Sequence, residues 1–316
     1  MVLSIEGVSY MTLQQILYAI TIAEIGSMNK AAEKLYISQP SLTNAIKELE
    51  RDAGITIFSR TGKGVVPTKD GEEFLLYAHQ LYQQYELLKE KYGKKENIKR
   101  KFGVSTQHYS FAVKAFVETV KKFDARKYEF AIREEKTRDV ISDVGNLRSE
   151  IGILYLSNFN RKITEKILRE NELEFHKLIE ANAYVYLWKN HPLAKEKSIS
   201  FGQLDEYPCL SFEQGEKGSF YFAEEILSEN DYAQTIKACD RATMLNLMVG
   251  LNGYTLCSGI ICNELNGSDF VVVPFKADKE NKNSTMEIGY IIKKHNILSE
   301  IGEIYIDEVK RYLGIK

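Results

Sequence analysis

The chain has 316 residues, 44% hydrophobic and 27% charged, with a formal net charge of -2. That length supports two or three domains, each with its own core, and the composition is ordinary for a globular protein. A near-neutral balance excludes a uniformly basic nucleic-acid coat, and no apolar run reaches the roughly 18 residues of a membrane span. The opening "MVLSIEGVSY" carries Glu6 and no cationic start, so it does not read as a signal peptide and the expected location is cytoplasmic. Met11 offers an alternative start, which would make the first ten residues a disordered extension.

"TLQQILYAITIAEIGS" places Leu13, Ile16, Leu17, Ile20 and Ala23 on one helical face, and Gly26 stops that helix. Ser27 then caps a second helix through Ala31, Ala32 and Leu35, whose alanines let another helix approach closely. A third helix starts at Ser38, holds Pro40 in its first turn and ends at Gly54. Burying Leu42, Ala45, Ile46 and Leu49 leaves Gln39, Ser41, Thr43, Asn44 and Lys47 facing outward. Small amides and hydroxyls at a helix N-terminus, backed by a lysine, suit the DNA major groove: they read base edges while the positive helix end and Lys47 face phosphates.

An ordinary surface helix also carries such residues, so the segment after it decides. "ITIFSRTGKGVVPT" reads as extended runs, Ile55 to Ser59 and Val65 to Pro67, around a turn from Thr61 to Gly64. Such a wing, with Arg60 and Lys63 near its tip, grips phosphates beside a helix-turn-helix. The expected DNA face is therefore Ser27, Lys30, Ser38, Gln39, Pro40, Ser41, Thr43, Asn44, Lys47, Arg60 and Lys63. Cations and anions nearly balance between Met11 and Asp70, so placement must supply the phosphate contacts.

Thr68 can cap a long helix in which Phe74, Ala78, Leu81, Tyr85, Leu88 and Tyr92 recur at spacings of four and three, a coiled-coil seam widened by Leu75 and Tyr82. The chain's own domain could bury this stripe, but a two-fold partner fits a palindromic DNA site. The expected dimerisation residues are Phe74, Ala78, Leu81, Tyr85 and Leu88. The charged "KEKYGKKENIKRK" reads as a solvated hinge.

From Arg100 the pattern alternates strand and helix: "RKFGVS", a helix from Tyr109 to Lys122, "KYEFAIR", a helix from Thr137 to Val144, and "EIGILYL". A second set holds "ANAYVYLW", "YPCLSF", a helix from Ser219 to Asn230, "TIKAC", a helix from Thr243 to Gly250, "GYTLC" and "DFVVVPF". "EIGYIIKK" and a helix from Ser299 to Leu313 return to complete the first sheet. Alternation of this kind implies parallel sheets flanked by helices, and two such lobes joined by more than one crossover form a cleft for small polar ligands. Within it Ser105, Thr106 and Gln107 offer donors at a helix N-terminus to a carboxylate or other anion, with Thr137, Phe212, Glu213, Thr243 and Ser258 as further candidates.

The fold class is thus α/β with an N-terminal α module: a winged helix-turn-helix over 11–68, a linker and dimerisation helix over 69–96, and a two-lobed effector domain over 97–316. Lobe I covers about 97–178 and 276–316, lobe II about 179–275. Cys209, Cys239, Cys257 and Cys262 lack CxxC spacing and read as reduced thiols packed as small hydrophobes, with no metal site expected.

"GSMNKAAEKLYISQPSLTNAIKELERDAGITIFSRTGKGVVPTKDGEEFL", "HPLA" at His191 to Ala194 and "MLNLMVGLNGYTLCSG", in this order and spacing, resemble the LysR-type transcriptional regulators, over essentially Met11 to Lys316. The resemblance implies a winged helix-turn-helix on an inverted-repeat operator, a linker-helix homodimer that assembles into a tetramer, and a co-inducer domain similar to periplasmic solute-binding proteins. It also implies that Ala32, Ser38, Gln39, Pro40, Ser41, Arg60 and Thr68 lie at or near the DNA. Pro67 and Glu150 depart from the family's usual leucine and aspartate. "STQ" is similar to the family's sulfur-metabolism regulators, whose Thr-Gln helps hold an oxyanion.

The expected function is therefore a DNA-binding regulator controlled by a small-molecule co-inducer, without a cofactor. The alternatives are a cytosolic solute-binding protein without ligand-controlled DNA binding, or a thiol-based redox regulator using Cys257 and Cys262. An enzyme is disfavoured, since HExxH, GxSxG and P-loop patterns are all missing from the sequence.

Overall fold

Capping chemistry delimits the helices of the N-terminal unit. Thr12 and Gln15 form a reciprocal capping box at the start of α1 (Leu13–Ile25), and Gly26 ends it in the left-handed region at φ 69. Ser27 caps α2 (Met28–Lys34). The Ser38 hydroxyl accepts from Ser41 N at 3.2 Å to open α3 (Gln39–Ala53), which Gly54 closes at φ 70. The hairpin of β1 (Phe58–Thr61) and β2 (Gly64–Pro67) leads into the 24-residue α4 (Lys69–Tyr92), whose first turn is fixed by Gly71 N donating to Thr68 Oγ1 at 2.9 Å. The computed structural model describes residues 11–62, 64–92, 100–123, 127–215, 220–277 and 283–315, and the chain divides into two compact units, Met1–Glu96 and Asn97–Lys316. The first ten residues and most of the expected hinge lie outside the described residues.

Ala19, Ile22, Ala31, Leu42, Ile46, Leu49 and Ile57 form the first unit's core. The wing starts at Phe58 rather than Ile55 because Ile57 is fully buried among the helices and its N–H donates to Glu50 Oε1 (2.8 Å), which also accepts from Phe58 N. Along α4, Leu75 joins this core, and Ala78 packs with Phe74 against Ile16 and Ile20 of α1. The early part of the expected dimer seam thus has its own chain as partner, whereas Leu81, Leu88 and Tyr92 are exposed.

In the second unit β3 (Arg100–Thr106), α5 (Ser110–Lys122), β4 (Tyr128–Glu134), α6 (Thr137–Gly145) and β5 (Ile151–Leu156) form a parallel core. Then follow α7 (Arg161–Glu170), β6 (Leu173–Asn182), β7 (Tyr184–Trp188), α8 (Phe201–Leu204), β8 (Cys209–Phe212), β9 (Thr235–Ala238), α9 (Arg241–Leu251), β10 (Thr255–Cys257), α10 (Asn263–Asn266), β11 (Phe270–Pro274), β12 (Thr285–Lys293) and α11 (Glu300–Leu313). The first sheet has the order β4-β3-β5-β12-β6, with β12 antiparallel to both neighbours. In the second lobe β10-β7-β11 is joined to parallel β8-β9 through the Cys209–Tyr254 bridge. The two crossovers lie side by side, Phe275 N donating to Ala183 O (3.1 Å) and Ala183 N to Ser284 O (2.8 Å).

Three expectations need correction. "ANAYVYLW" is not one strand but breaks at Ala183, where the chain passes from β6 in the first sheet to β7 in the second. Helix α7 was not among the expected elements, although "RKITEKILRE" carries a short stripe, Ile163, Thr164, Ile167 and Leu168, of which Thr164 and Leu168 are buried and Ile167 packs beside them. The described part of the helix expected from Ser219 to Asn230 holds only a three-residue 3-10 turn, Phe220–Phe222, followed by turns and bends. Four consecutive residues, Glu224 to Leu227, are buried there, which one face of a helix cannot achieve. The departure at Glu150 has a structural partner: its carboxylate accepts from Ser299 N (2.6 Å) and Oγ (2.7 Å) at the cap of α11.

Candidate functional site

On the N-terminal unit, Ser41, Asn44 and Lys47 of α3 are exposed, as is Arg60 of β1; Lys63 lies outside the described residues. Gln39 and Thr43 are half-buried and hydrogen-bonded to each other at 2.8 Å. Ser38 and Pro40 are exposed at the helix start, while Ser27 caps α2 through Lys30 N. The wing is anchored to the helices because Val65 N donates to Gly26 O at 2.9 Å. Sequence reasoning passed over Tyr36, 95% exposed in the turn before α3 at φ 56, a conformation uncommon outside glycine.

The cleft of the second unit is closed by its own chain. Gln107 Nε2 donates to Thr137 Oγ1 (2.6 Å), and Thr137 Oγ1 donates to Phe222 O (2.7 Å). The Tyr155 hydroxyl is 3.1 Å from both Ala223 O and Glu225 O. The segment after Phe220 is thus strapped onto lobe I by Thr137, a group expected to hold an effector, and by Tyr155, which was not among them. His108 presents both its backbone N and its Nδ1 to Glu224 Oε2, each at 2.8 Å, while Gln214 Nε2 donates to Glu224 Oε1 at 2.9 Å. The protein's own carboxylate therefore occupies the turn before α5, the position expected to seat an anion. His108 also stacks on Phe212, ring centroids 3.7 Å apart.

A cavity of about 90 Å³ lies beside this latch, with His108, Tyr109 and Ser110 on the lobe I side and Tyr186, Arg241 and Met244 among the lobe II residues facing them. Of the expected effector residues, Phe212 and Ser258 line it and the others do not. Ser105 is turned into lobe I, donating to Asp143 Oδ2 at 2.7 Å; Thr106 is buried and donates to Gln107 O. Gln107 and Thr137 hold the strap, Glu213 accepts from Cys239 Sγ, and Thr243 bonds to Asp240, the residue that caps α9. The wall residues Tyr109, Tyr186, Glu224, Glu225 and Arg241 were missed. Arg241 lies two positions from the expected Thr243, but Glu224 and Glu225 fell within a stretch read as helix and gave no signal.

Four buried atoms on this wall, Tyr109 Oη, Glu225 Oε2, Arg241 Nε and Thr255 Oγ1, have no hydrogen-bond partner among the described residues. The Tyr186 hydroxyl lies near Asn266 without a well-formed bond. The terminal nitrogens of Arg241 are engaged by Glu134 across the cleft and, at 3.4 Å, by Asn266 Oδ1 of the same lobe. Burial, reinforced by the neighbouring Glu224, pushes the Glu225 carboxyl up to about 8, against a bond from Phe212 N. Burial pushes the Cys209 and Cys257 thiols up to about 12, and Glu213 raises Cys239, so none of the three is a ready thiolate. Among the described residues no group of His, Cys, Asp and Glu is arranged to hold a metal, and no helix is long and apolar enough to cross a membrane.

A winged helix-turn-helix followed by a two-lobed α/β domain defines a DNA-binding protein with a ligand-binding domain. Residues 13–72 match the pattern described as "Bacterial regulatory helix-turn-helix protein, lysR family", and residues 108–313 match "LysR substrate binding domain". The chain belongs to the LysR family and is a LysR-type transcriptional regulator. It is 28% identical to the RuBisCO operon transcriptional regulator of Allochromatium vinosum, over 72% of each chain. Its fold is similar to that of a full-length OxyR variant from Pseudomonas aeruginosa, with TM-score 0.66, 19% identity and coverage of 95% of this chain and 98% of that one. It is similar too to full-length CbnR in complex with its target DNA, with TM-score 0.51, 15% identity and coverage of 96% and 100%.

Proposed function

We propose that this regulator responds to a small-molecule co-inducer held between the two lobes, acting in the cytoplasm as a homodimer or tetramer on an inverted-repeat operator. The observation that carries the reading is the cavity walled by both lobes, in which buried polar atoms lack partners, as groups awaiting a ligand do. Residues 11–68 act as the DNA-binding module, 69–96 as linker and 97–316 as the effector domain. A ligand that favours one lobe arrangement shifts the population of states and with it the spacing of the two DNA-binding modules. The CbnR neighbour was solved in complex with its target DNA, which supports a DNA-bound role for a chain of this fold.

In this reading Gln39, Ser41, Asn44 and Lys47 face the major groove, Arg60 grips phosphate, and Tyr36 adds an exposed ring beside them. The test is operator binding to a site selected from random duplexes, with and without the small-molecule fraction of a cell extract. Wild type is expected to change its footprint with that fraction, and Ser258→Trp, which fills the cavity, to be insensitive. An identical footprint in all four conditions removes the co-inducer reading. Gln39→Ala and Arg60→Ala are expected to lower affinity about tenfold without unfolding the chain, as loss of a base or phosphate contact does; unchanged affinity in both removes the DNA-face assignment.

A further inference from the structure

The unpartnered atoms of the cavity fall at two ends of opposite character. Glu225 Oε2 and the Tyr109 hydroxyl lie at one, where Tyr109 is within electrostatic reach of both Glu224 and Glu225. Arg241 Nε lies at the other, where Tyr186 is within reach of Arg241 and beside Asn266. Glu225 and Thr255 are each more than nine-tenths buried, so water in bulk does not reach them. Met244, Leu245 and Leu256 supply apolar surface on the same wall.

A simple carboxylate fits this arrangement poorly. The donors at the turn before α5 are already taken by Glu224, and two of the three guanidinium nitrogens of Arg241 by Glu134 and Asn266. Such a ligand would engage one Nε–H and could bond Glu225 only while that carboxyl keeps its proton, which sets a second carboxylate beside that of Glu224. A simple amine would satisfy Glu225 and leave Arg241 Nε bare. An unpaired buried group costs affinity, so the ligand that completes the cavity carries both a donor-rich cation and an acceptor.

Resting on the cleft reading above, we propose that the co-inducer is a small zwitterion of the amino-acid type. Its ammonium meets Glu225 Oε2 and the hydroxyl of Tyr109, its carboxylate meets Arg241 Nε and the hydroxyl of Thr255, which stands opposite Tyr186 in the β10–β7 pair, and its side chain lies against Met244 and Leu245. The cavity volume of about 90 Å³ restricts that side chain to a small one. The ammonium keeps its three protons, and any proton on Glu225 leaves to solvent as the ion pair forms.

The test is calorimetric titration of the full chain with each of the twenty proteinogenic amino acids and, for each that binds, with the matched deaminated acid and decarboxylated amine. At least one amino acid is expected to bind, with both matched compounds weaker by tenfold or more. Glu225→Gln keeps shape and volume and is expected to weaken the amino acid tenfold or more; Thr255→Val is expected to weaken it several-fold, and both should leave the thermal transition intact. If a deaminated acid binds as tightly as its amino acid and ignores Glu225→Gln, the zwitterion is wrong while the cleft reading stands. Silence from every amino acid overturns the inference also, and the footprint experiment with the extract fraction then decides the cleft reading alone.

Discussion

The two units of this regulator treat their polar side chains in opposite ways. In the N-terminal unit the groups near α3 are exposed to water or paired locally, Ser38 with Ser41, Gln39 with Thr43 and Glu50 with the wing backbone. The cleft of the effector unit instead keeps Tyr109, Glu225, Arg241 and Thr255 atoms buried and unpaired. An exposed donor is satisfied by water until DNA arrives and so keeps no trace of the base it reads. A buried one has no such substitute, and its vacancy records the shape and charge of what it binds. The cleft therefore carries a proposal of ligand class, where the DNA face carries only a proposal of binding mode.

The largest effect that can separate the units is at Gly71. A Cβ there would lie 2.0 Å from the carbonyl oxygen of Ile57, a backbone atom fixed by the helical core. Gly71→Val is expected to destabilise the N-terminal unit by on the order of 4 kcal/mol, the range of severe steric mechanisms. DNA binding should be abolished and amide exchange in α1 to α3 accelerated, while exchange in β3, β5 and β12 remains protected. Loss of protection in both units would show that they fold as one.

A smaller effect concerns Glu225. Its carboxyl is raised from the usual 4.5 to about 8, so the native state holds a proton that the unfolded chain has released. The stability from that proton is fully present below about pH 4.5 and is lost as pH rises through 8. The groups facing it are Glu224, Tyr109, Tyr155, Cys209 and Tyr232; burial pushes the Cys209 thiol up to about 12 and holds the three tyrosine hydroxyls well above their ordinary range, so over pH 6 to 9 the thiol and the tyrosines titrate little. Thermal melts from pH 6 to 9 should show the effector unit weakening in wild type and much less in Glu225→Gln. Parallel curves would place the proton elsewhere.

How much of this was legible in the sequence follows the same division. The helix-turn-helix announced itself because each boundary is set by a local residue: Ser27, Ser38 and Thr68 as caps, Gly26 and Gly54 as stops. The parallel strands and returning β12 were legible from apolar runs. The cleft was not, because its contents depend on contacts between residues far apart in the chain, such as His108 with Glu224 and Glu134 with Arg241. Ser105, Thr106 and Gln107 do stand at the end of β3, but alternation along a strand turns Ser105 toward Asp143, and long-range packing turns Gln107 toward Thr137. The strap after Phe220 has a sequence that suits a helix, and tertiary burial overrides that preference.

The linker helix offers a milder test. Leu81 is 50% and Leu88 57% exposed, whereas Ala78 of the same seam is buried against α1. Leu81→Glu combined with Leu88→Glu is expected to lower the oligomeric state in light scattering with little loss of stability, and Ala78→Glu to destabilise the N-terminal unit itself. If the double variant keeps its mass, the later part of the seam is not the partner surface.

The smallest expected effect is the most diagnostic of function at the DNA face. Tyr36 adopts φ 56 with 95% of its surface exposed, so it bears the left-handed penalty of roughly 1 kcal/mol without gaining burial in return. Replacing it with glycine removes that strain, but glycine loses more freedom on folding, so the net gain is about 0.5 kcal/mol. If Tyr36 is kept for the operator, Tyr36→Gly should raise the melting temperature of the N-terminal unit slightly and weaken operator binding, the two moving in opposite directions. If both rise or stay level, the exposed ring has no part in DNA recognition, and the turn before α3 belongs with the satisfied scaffold and not with the reading face.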